Sequence, residues 1–398
     1  MANLEHEILR LERELLAGNY RPGRYTEIEV FDPKHRVVSA APFRDRVVHH
    51  ALCAVVEPIF ANGFIGHSFA NQLGKGTHRA VGVFERYRNR FSHVLRCDIY
   101  RYFPAIDHDV LKKAFRRRIG CEGTLDLLDN IVDGSNAQEA VNIYFSGDDL
   151  FAPFARRRGL PIGNLTSQFF ANLYLDPLDH FATECLGAPY LRYVDDFALF
   201  ADDPAVLDDW RKRLAGFLDK RRLLMHPRKT FIAPTAEPAQ FLGFVLQING
   251  SRHLPEDNVK RFRNRLRGLR DRRRAGRATQ SEVNCRVEAW IAHAAHADTF
   301  RLRQAIFADG WFDPLPKPGK SLKPARSARR FLEQQSTEPP FGQPQQEHHN
   351  QPQQQQRVPR RQHTPAPEPA RSRSIRASHE GAFRIFHDDE AGLLDRRL

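Results

Sequence analysis

A chain of 398 residues holding 61 Lys and Arg against 48 Asp and Glu has room for two or three domains, and its net charge of +13 favours polyanionic partners, nucleic acid first. A surface kept basic for solubility is the alternative source of that excess. The five cysteines, Cys53, Cys97, Cys121, Cys185 and Cys285, form no CxxC pair. That spacing argues against a disulfide framework or structural zinc and fits a reducing cytosol; no apolar run reaches the roughly 18 residues of a membrane span, so a soluble, cytoplasmic protein is expected.

Leu4, Ile8, Leu11 and Leu15 recur at helical spacing ahead of Gly18, which predicts an opening amphipathic helix over Leu4–Leu16. Residues 25–31 alternate, 32–35 carry turn chemistry and Arg36, Val37 and Val38 start a returning strand, outlining a basic hairpin. Helical texture follows at 46–60, 78–87, 109–118 and 124–132, and the best strand candidates are 93–99, 190–200 and 241–248. Helices between non-adjacent strands point to an α+β domain.

After Pro255, ten basic residues from Lys260 to Arg277 crowd a helical segment whose apolar positions are Val259, Phe262, Leu266 and Leu269. A second helix over 283–297 carries Trp290, and a third begins near Thr299, so a small helical bundle ending near Phe307 is expected. Beyond Pro314 the text is rich in Pro, Gln, Ser and Arg, too polar to offset the entropy of ordering, and reads as disordered. Its last part, 382–398, regains Phe383, Ile385, Phe386, Leu393 and Leu394 and is either a docking segment or a frayed tail.

Tyr193, Val194, Asp195 and Asp196 lie between Leu191 and the apolar run 197–200, which places adjacent acids at a bend between buried strands. Unpaired carboxylates there carry a desolvation cost that divalent cations offset by coordination. An acidic pair in a solvated turn is the bland alternative. A third acid from another strand is needed, and Asp98, after 93–97 and shortly before Phe103 and Asp107, is the candidate. Three such carboxylates suit two Mg2+ ions, with Mn2+ as a substitute, in phosphoryl transfer.

With those residues in hand, the chain resembles bacterial reverse transcriptases over roughly 20–307: Asp98, Ile99 and Phe103 match the first palm motif and Tyr193 to Asp196 the second. Between them, residues 159–168 (Gly-Leu-Pro-Ile-Gly-Asn-Leu-Thr-Ser-Gln) resemble the family's template and nucleotide segment. Many relatives, group II intron proteins included, carry Gln where Ile162 stands and Ser-Pro where Ser167 and Gln168 stand; this variant resembles the diversity-generating retroelement group. The resemblance implies a right-hand polymerase, with fingers and palm over 1–250, a helical thumb over 251–312 and a disordered tail over 313–398.

It further implies roles. Asp98, Ile99, Asp195 and Asp196 take the metal-binding positions, and Lys229 the place of a lysine proposed to protonate pyrophosphate, with a plain surface lysine as the alternative. Arg36 and Arg44 match residues that grip the incoming triphosphate, whereas Arg46 reads better as a structural ion pair with Asp45. Phe103 corresponds to the gate against a ribose 2′ hydroxyl, or else packs in the core. Ile162, Gly163 and Gln168 would face the nucleotide; Ser167, Tyr193, Phe241 and Gly243 would meet template or primer, although Phe241 also suits plain strand packing. Arg263 and Arg267 of the basic helix would track backbone phosphates.

A branched apolar side chain cannot supply the hydrogen bonds of a glutamine amide, so Ile162 implies low fidelity, by resemblance at template adenines; simple packing is its alternative. The expected activity is RNA-directed DNA synthesis on a structured template RNA with a primer or cDNA strand and dNTPs, helped, by resemblance, by a small basic helical accessory protein. Rival readings are a retron or antiviral-defence polymerase and a non-catalytic RNA-binding scaffold. Gly74 to Thr77 lacks the first glycine of a phosphate loop, and His293 with His296 lacks further zinc ligands.

Overall fold

The computed structural model describes residues 4–308 except 32–34, 137, 139 and 140. Helix α1 (Leu4–Leu16) precedes a hairpin of β1 (Thr26–Val30) and β2 (Arg36–Ala40), in which Thr26 opposes Ala40 and Val30 opposes Arg36. The middle of the expected hairpin turn, and the whole expected tail with its 382–398 segment, lie outside the described residues. Helices α2 (Phe43–Ala61) and α3 (Thr77–Arg90) lead to β3 (His93–Asp98). Next come α4 (Tyr102–Ala105), α5 (His108–Arg116), α6 (Glu122–Asp133) and α7 (Ala152–Ala155).

Helix α8 (Leu165–His180) runs on into a wider π turn, Phe181–Cys185. It is followed by β4 (Tyr190–Tyr193), β5 (Asp196–Ala201), α9 (Pro204–Asp219) and β6 (Phe231–Pro234). The described chain closes with β7 (Ala239–Phe241), β8 (Phe244–Leu246), β9 (Arg252–His253), α10 (Glu256–Arg274), α11 (Gln280–Ala294) and α12 (Phe300–Phe307).

The central sheet has the order β4-β5-β3-β6, every pair antiparallel. Side chains alternate across it and both faces are covered. Leu95, Cys97, Phe197 and Leu199 enter one apolar cluster with α2, α5, α6, α8 and α9. Val94, Ala198 and Phe200 enter a second with Phe84 of α3. Burial on both faces is why residues 197–200 read as an unbroken apolar run and not as an alternating one.

The second cluster also takes Phe262 and Leu266 of α10, Trp290 and Ile291 of α11 and Ile306 of α12, with Phe262 and Trp290 stacked at 3.8 Å. The three C-terminal helices therefore share an apolar core with α3 and the sheet. Trp290 Nε1 donates to Asn258 Oδ1 at 3.1 Å, and Thr299 Oγ1 to the Ala294 carbonyl at 2.6 Å, which ends α11 before 297.

The segment 190–200 is a hairpin with the expected bend, at Val194 and Asp195. The expected strand 241–248 is also a hairpin, breaking at Leu242 (φ 43) and Gly243 (φ 86), where β7 turns into β8. Helix α8 gives no helical stripe in the sequence, because its apolar side chains run all round. All five cysteines are free, and no described helix is long and apolar enough to cross a membrane.

Candidate active site

Strand register assembles the acids. In the β3–β5 ladder Asp98 lies directly opposite Asp196, and in the β4–β5 hairpin Tyr193 lies opposite Asp196, leaving Val194 and Asp195 as a two-residue bend. Asp98, Asp195 and Asp196 are thus delivered to one end of the central sheet. Val194 sits at φ 57, a left-handed conformation that a β-branched residue adopts only when its surroundings impose it.

Burial raises the Asp195 carboxyl to about 6, with the charges of Asp98 and Asp196 adding to the effect and Lys229 opposing it. A cation among these oxygens would relieve that repulsion, and the donor set is all carboxylate, as Mg2+ prefers. Asp98 Oδ2 instead accepts a hydrogen bond from Lys229 Nζ at 2.7 Å. Among the described residues, no group of three or more His, Cys, Asp or Glu side chains is already arranged to hold a metal ion. The charge and chemistry of the cluster fit Mg2+.

Lys229 comes from a segment zipped along the end of β3. His226 N donates to the Asp98 carbonyl at 2.7 Å, Tyr100 N to the Leu224 carbonyl at 2.8 Å, and Ile99, wholly buried, forms a bridge with Met225. Asp107, close by in sequence, takes no part: fully buried, it caps α5 through Val110 N and pairs with Arg156 and Arg222.

The segment 159–168 is tied to two neighbours. Leu160 N donates to the Phe103 carbonyl at 3.0 Å and Gly159 N to the Ile106 carbonyl at 2.8 Å, binding it to the first motif. Ser39 N donates to the Ile162 carbonyl at 2.8 Å, and Asn164 Nδ2 to the Ser39 carbonyl at 2.8 Å, binding it to β2. Gly163 (φ 111) is required there, since a Cβ would stand 2.6 Å from Val38 Cγ1. Ile162 is half-buried and belongs to neither apolar cluster, Gln168 is half-buried and Ser167 is buried in the first turn of α8.

Phe103 is partly buried against the first cluster, edge-on to Tyr102. Tyr193 accepts a hydrogen bond from Thr77 Oγ1 at 3.1 Å and packs on the second cluster. Phe241 is 2 % exposed and stacked on Phe84 at 4.4 Å, so its ring packs in the second cluster. Gly243 stands exposed at the hairpin turn. Arg263 and Arg267 are exposed on α10.

The arginines of the N-terminal region divide. Arg36 is exposed at the start of β2, while Arg44 is ion-paired with Glu14 of α1 and lies 5.6 Å over the Tyr20 ring. The pairing of Arg46 with Asp45 is corrected: Asp45 accepts from Tyr20 Oη at 2.9 Å and Gly23 N at 2.7 Å, and Arg46 lies over Phe43. Asp45 faces inward, away from its sequence neighbour.

His296 stacks on His78 at 3.4 Å and His293 leans on Phe244, so these histidines fasten α11 against α3 and the β7–β8 turn.

Sequence reasoning missed Arg192 and Asp179, a buried ion pair with Nη2 to Oδ2 at 2.6 Å and Nε to Oδ1 at 2.7 Å. The signal was present: a lone arginine between apolar residues in the strand text, and an aspartate directly after Leu178 in a largely apolar helix. Each charge, buried in such surroundings, calls for the other.

Residues 31–246 match the profile of the reverse transcriptase (RNA-dependent DNA polymerase) family, more than half of the chain, and the protein belongs to that family. It is 24 % identical over 320 residues to the protein YkfC of Escherichia coli strain K12, covering 67 % of this chain and 80 % of that one. It is 22 % identical to the putative COX1/OXI3 intron 2 protein and 19 % identical to the putative COX1/OXI3 intron 1 protein of Saccharomyces cerevisiae, covering 41 % and 62 % of this chain but only 18 % and 35 % of theirs. Among solved structures, apo telomerase from Candida tropicalis overlaps 59 % of this chain and 49 % of its own at TM-score 0.44 and 11 % identity. Telomerase from Candida albicans in complex with a telomeric RNA fragment overlaps 82 % and 68 % at 0.40 and 12 % identity.

Proposed function

We propose that this reverse transcriptase family member is an active RNA-directed DNA polymerase that extends a primer on template RNA with dNTPs, through two Mg2+ ions held by Asp98, Asp195 and Asp196. The observation that carries the reading is the register placing Asp98 opposite Asp196 beside the Asp195 bend. Mg2+, or Mn2+ in its stead, would supply charge neutralisation and lower the barrier to deprotonating the primer 3′ hydroxyl.

The chain's own residues do the rest. The three carboxylates would hold the ions; the primer 3′ oxygen, its proton passing to solvent water, bonds to the α-phosphorus as the bond to the pyrophosphate oxygen breaks, and Lys229, already beside the cluster, gives a proton to that departing oxygen. Ile99 takes its metal-site role through its backbone. Phe103 excludes a 2′ hydroxyl by overlap, and Arg36 and Arg44 bind triphosphate, Arg44 by exchanging Glu14 for phosphate oxygens. Ser167, Tyr193 and the Gly243 turn support template and primer, and Arg263 and Arg267 follow the backbone from a thumb formed by α10, α11 and α12.

Ile162, Gly163 and Gln168 face the nascent pair, and Ile162, lacking an amide, makes the copy error-prone at adenines in the manner of a diversity-generating retroelement. Its half-buried place outside both apolar clusters supports this. A template RNA, a cDNA strand and a small basic helical protein are the proposed partners, in the cytoplasm. Primer extension on RNA tests the reading: RNA-dependent synthesis by the wild type that disappears in Asp98→Ala and Asp196→Ala supports it, and equal synthesis by those variants removes it.

A further inference from the structure

The bend that carries Asp195 is held by a polar knot that no catalytic role explains. Arg192 is 1 % exposed in its side chain and Asp179 0 %, and two of the guanidinium nitrogens engage both carboxylate oxygens. The remaining nitrogen, Nη1, donates to the Val194 carbonyl at 3.0 Å and to Asn172 Oδ1 at 3.1 Å. Tyr190 Oη donates to the same Asp179 at 2.7 Å, and Asn172 Nδ2 to the Ala70 carbonyl at 2.8 Å. The Arg192 backbone is also fixed, its N–H donating to the His67 carbonyl and its carbonyl accepting from Phe69 N.

Val194 is the residue at φ 57, and its carbonyl belongs to the peptide that leads into Asp195. A valine left to itself avoids this conformation. A guanidinium locked by Asp179 points a fixed donor at that carbonyl, so the orientation of the peptide before Asp195 is set from α8, through Asp179 and Asn172. A lysine could satisfy Asp179, but its compact ammonium cannot keep the fork and reach the carbonyl together.

We infer that Arg192, braced by Asp179, is a positioning residue that imposes the strained bend at Val194 and so aims the Asp195 carboxylate into the metal cluster. The inference rests on the polymerase reading and deepens it. Asp179, Asn172 and Arg192, all buried, act through the backbone between Tyr193 and Asp195.

The test compares wild type, Arg192→Lys, and Arg192→Lys with Val194→Gly, since glycine adopts a positive φ without a side-chain penalty. Two readouts are taken on full-length folded protein: Mn2+ binding by electron paramagnetic resonance without nucleic acid, and kcat and KM for dNTP on an RNA template. Arg192→Lys should lower kcat at least about tenfold with KM within about twofold, and weaken Mn2+ binding several-fold. Adding Val194→Gly should recover a substantial part of both.

Wild-type kcat and Mn2+ affinity in Arg192→Lys would overturn the inference, as would losses that glycine leaves untouched, which mark the pair as structural only. If Arg192→Lys does not fold, Arg192→Met with Asp179→Leu replaces the buried pair by apolar groups and is read in the same way, with and without Val194→Gly. A wild type that fails to extend a primer on RNA would sink the polymerase reading itself; an inactive Asp195→Asn beside an active wild type and an unimpaired Arg192→Lys sinks only this inference.

Discussion

Lys229 reaches back 131 positions to donate to Asp98, its Nζ 2.7 Å from Oδ2. The contact makes the lysine a competitor for one of the carboxylates proposed to bind metal as well as the candidate acid. Lys229→Ala should therefore lower kcat by about a hundredfold, as loss of a general acid does, while reducing the Mg2+ concentration needed for half-maximal activity. The pair is half-exposed on the lysine side, so stability should change by no more than about 1 kcal/mol. A Mg2+ titration of primer extension reads both effects; unchanged kcat would remove Lys229 from the chemistry.

A buried histidine and a half-buried aspartate give stability opposite pH slopes. Burial lowers the His49 imidazole from 6.5 to about 4, with Asp45 pulling the other way, and neither ring nitrogen has a hydrogen-bond partner. The unfolded chain takes up that proton below 6.5 and the folded chain does not until about 4, so this contribution is full above 6.5 and fades as pH falls through the window. Asp195, raised from 3.8 to about 6, does the reverse: the folded chain keeps a proton that the unfolded chain releases, and stability declines as pH rises between those values. In chelator, Asp195→Asn should gain about 1–2 kcal/mol at about pH 7 over wild type and little at about pH 4, after allowance for partial exposure. His49→Leu should flatten the acid side of the profile. Urea unfolding across that range checks both, and parallel curves for wild type and variants would contradict the assignments.

Ile162→Gln supplies an amide where the wild type has a branched hydrocarbon. Misincorporation opposite template adenines should drop by about tenfold, in proportion to a hydrogen-bond difference of about 1–2 kcal/mol, with overall synthesis retained. Sequencing of cDNA made from one RNA by both proteins measures it. An unchanged error spectrum would leave Ile162 as a packing residue.

Arg263 and Arg267 lie on the exposed face of α10. Each Arg→Gln change should reduce the slope of log affinity against log salt by about one and leave the error spectrum alone. Filter binding to an RNA–DNA hybrid at several salt concentrations reads the slope. No change in either variant would mean that this face does not meet nucleic acid.

The first hairpin, helix α1 and the helix from Glu256 were legible because their apolar positions keep a clear period or their charges crowd one segment. The acidic bend was legible for a different reason: two acids interrupt text that is otherwise apolar. What stayed hidden was long-range. Nothing local in the sequence shows that Asp45 turns toward Tyr20 and Gly23 and not to Arg46, or that Arg44 meets Glu14. Phe241 reads equally as primer contact or core until Phe84 is found stacked on it. Helix α8, buried all round, lacks the polar face by which period analysis finds a helix.

The most direct measurement is single-nucleotide incorporation on a primed RNA template, comparing wild type with Asp98→Asn, a near-isosteric change that removes one negative charge from the strand facing Asp196. Register-built metal chemistry predicts a loss of at least about a thousandfold in rate with primer–template binding retained. Incorporation by Asp98→Asn at the wild-type rate would contradict it.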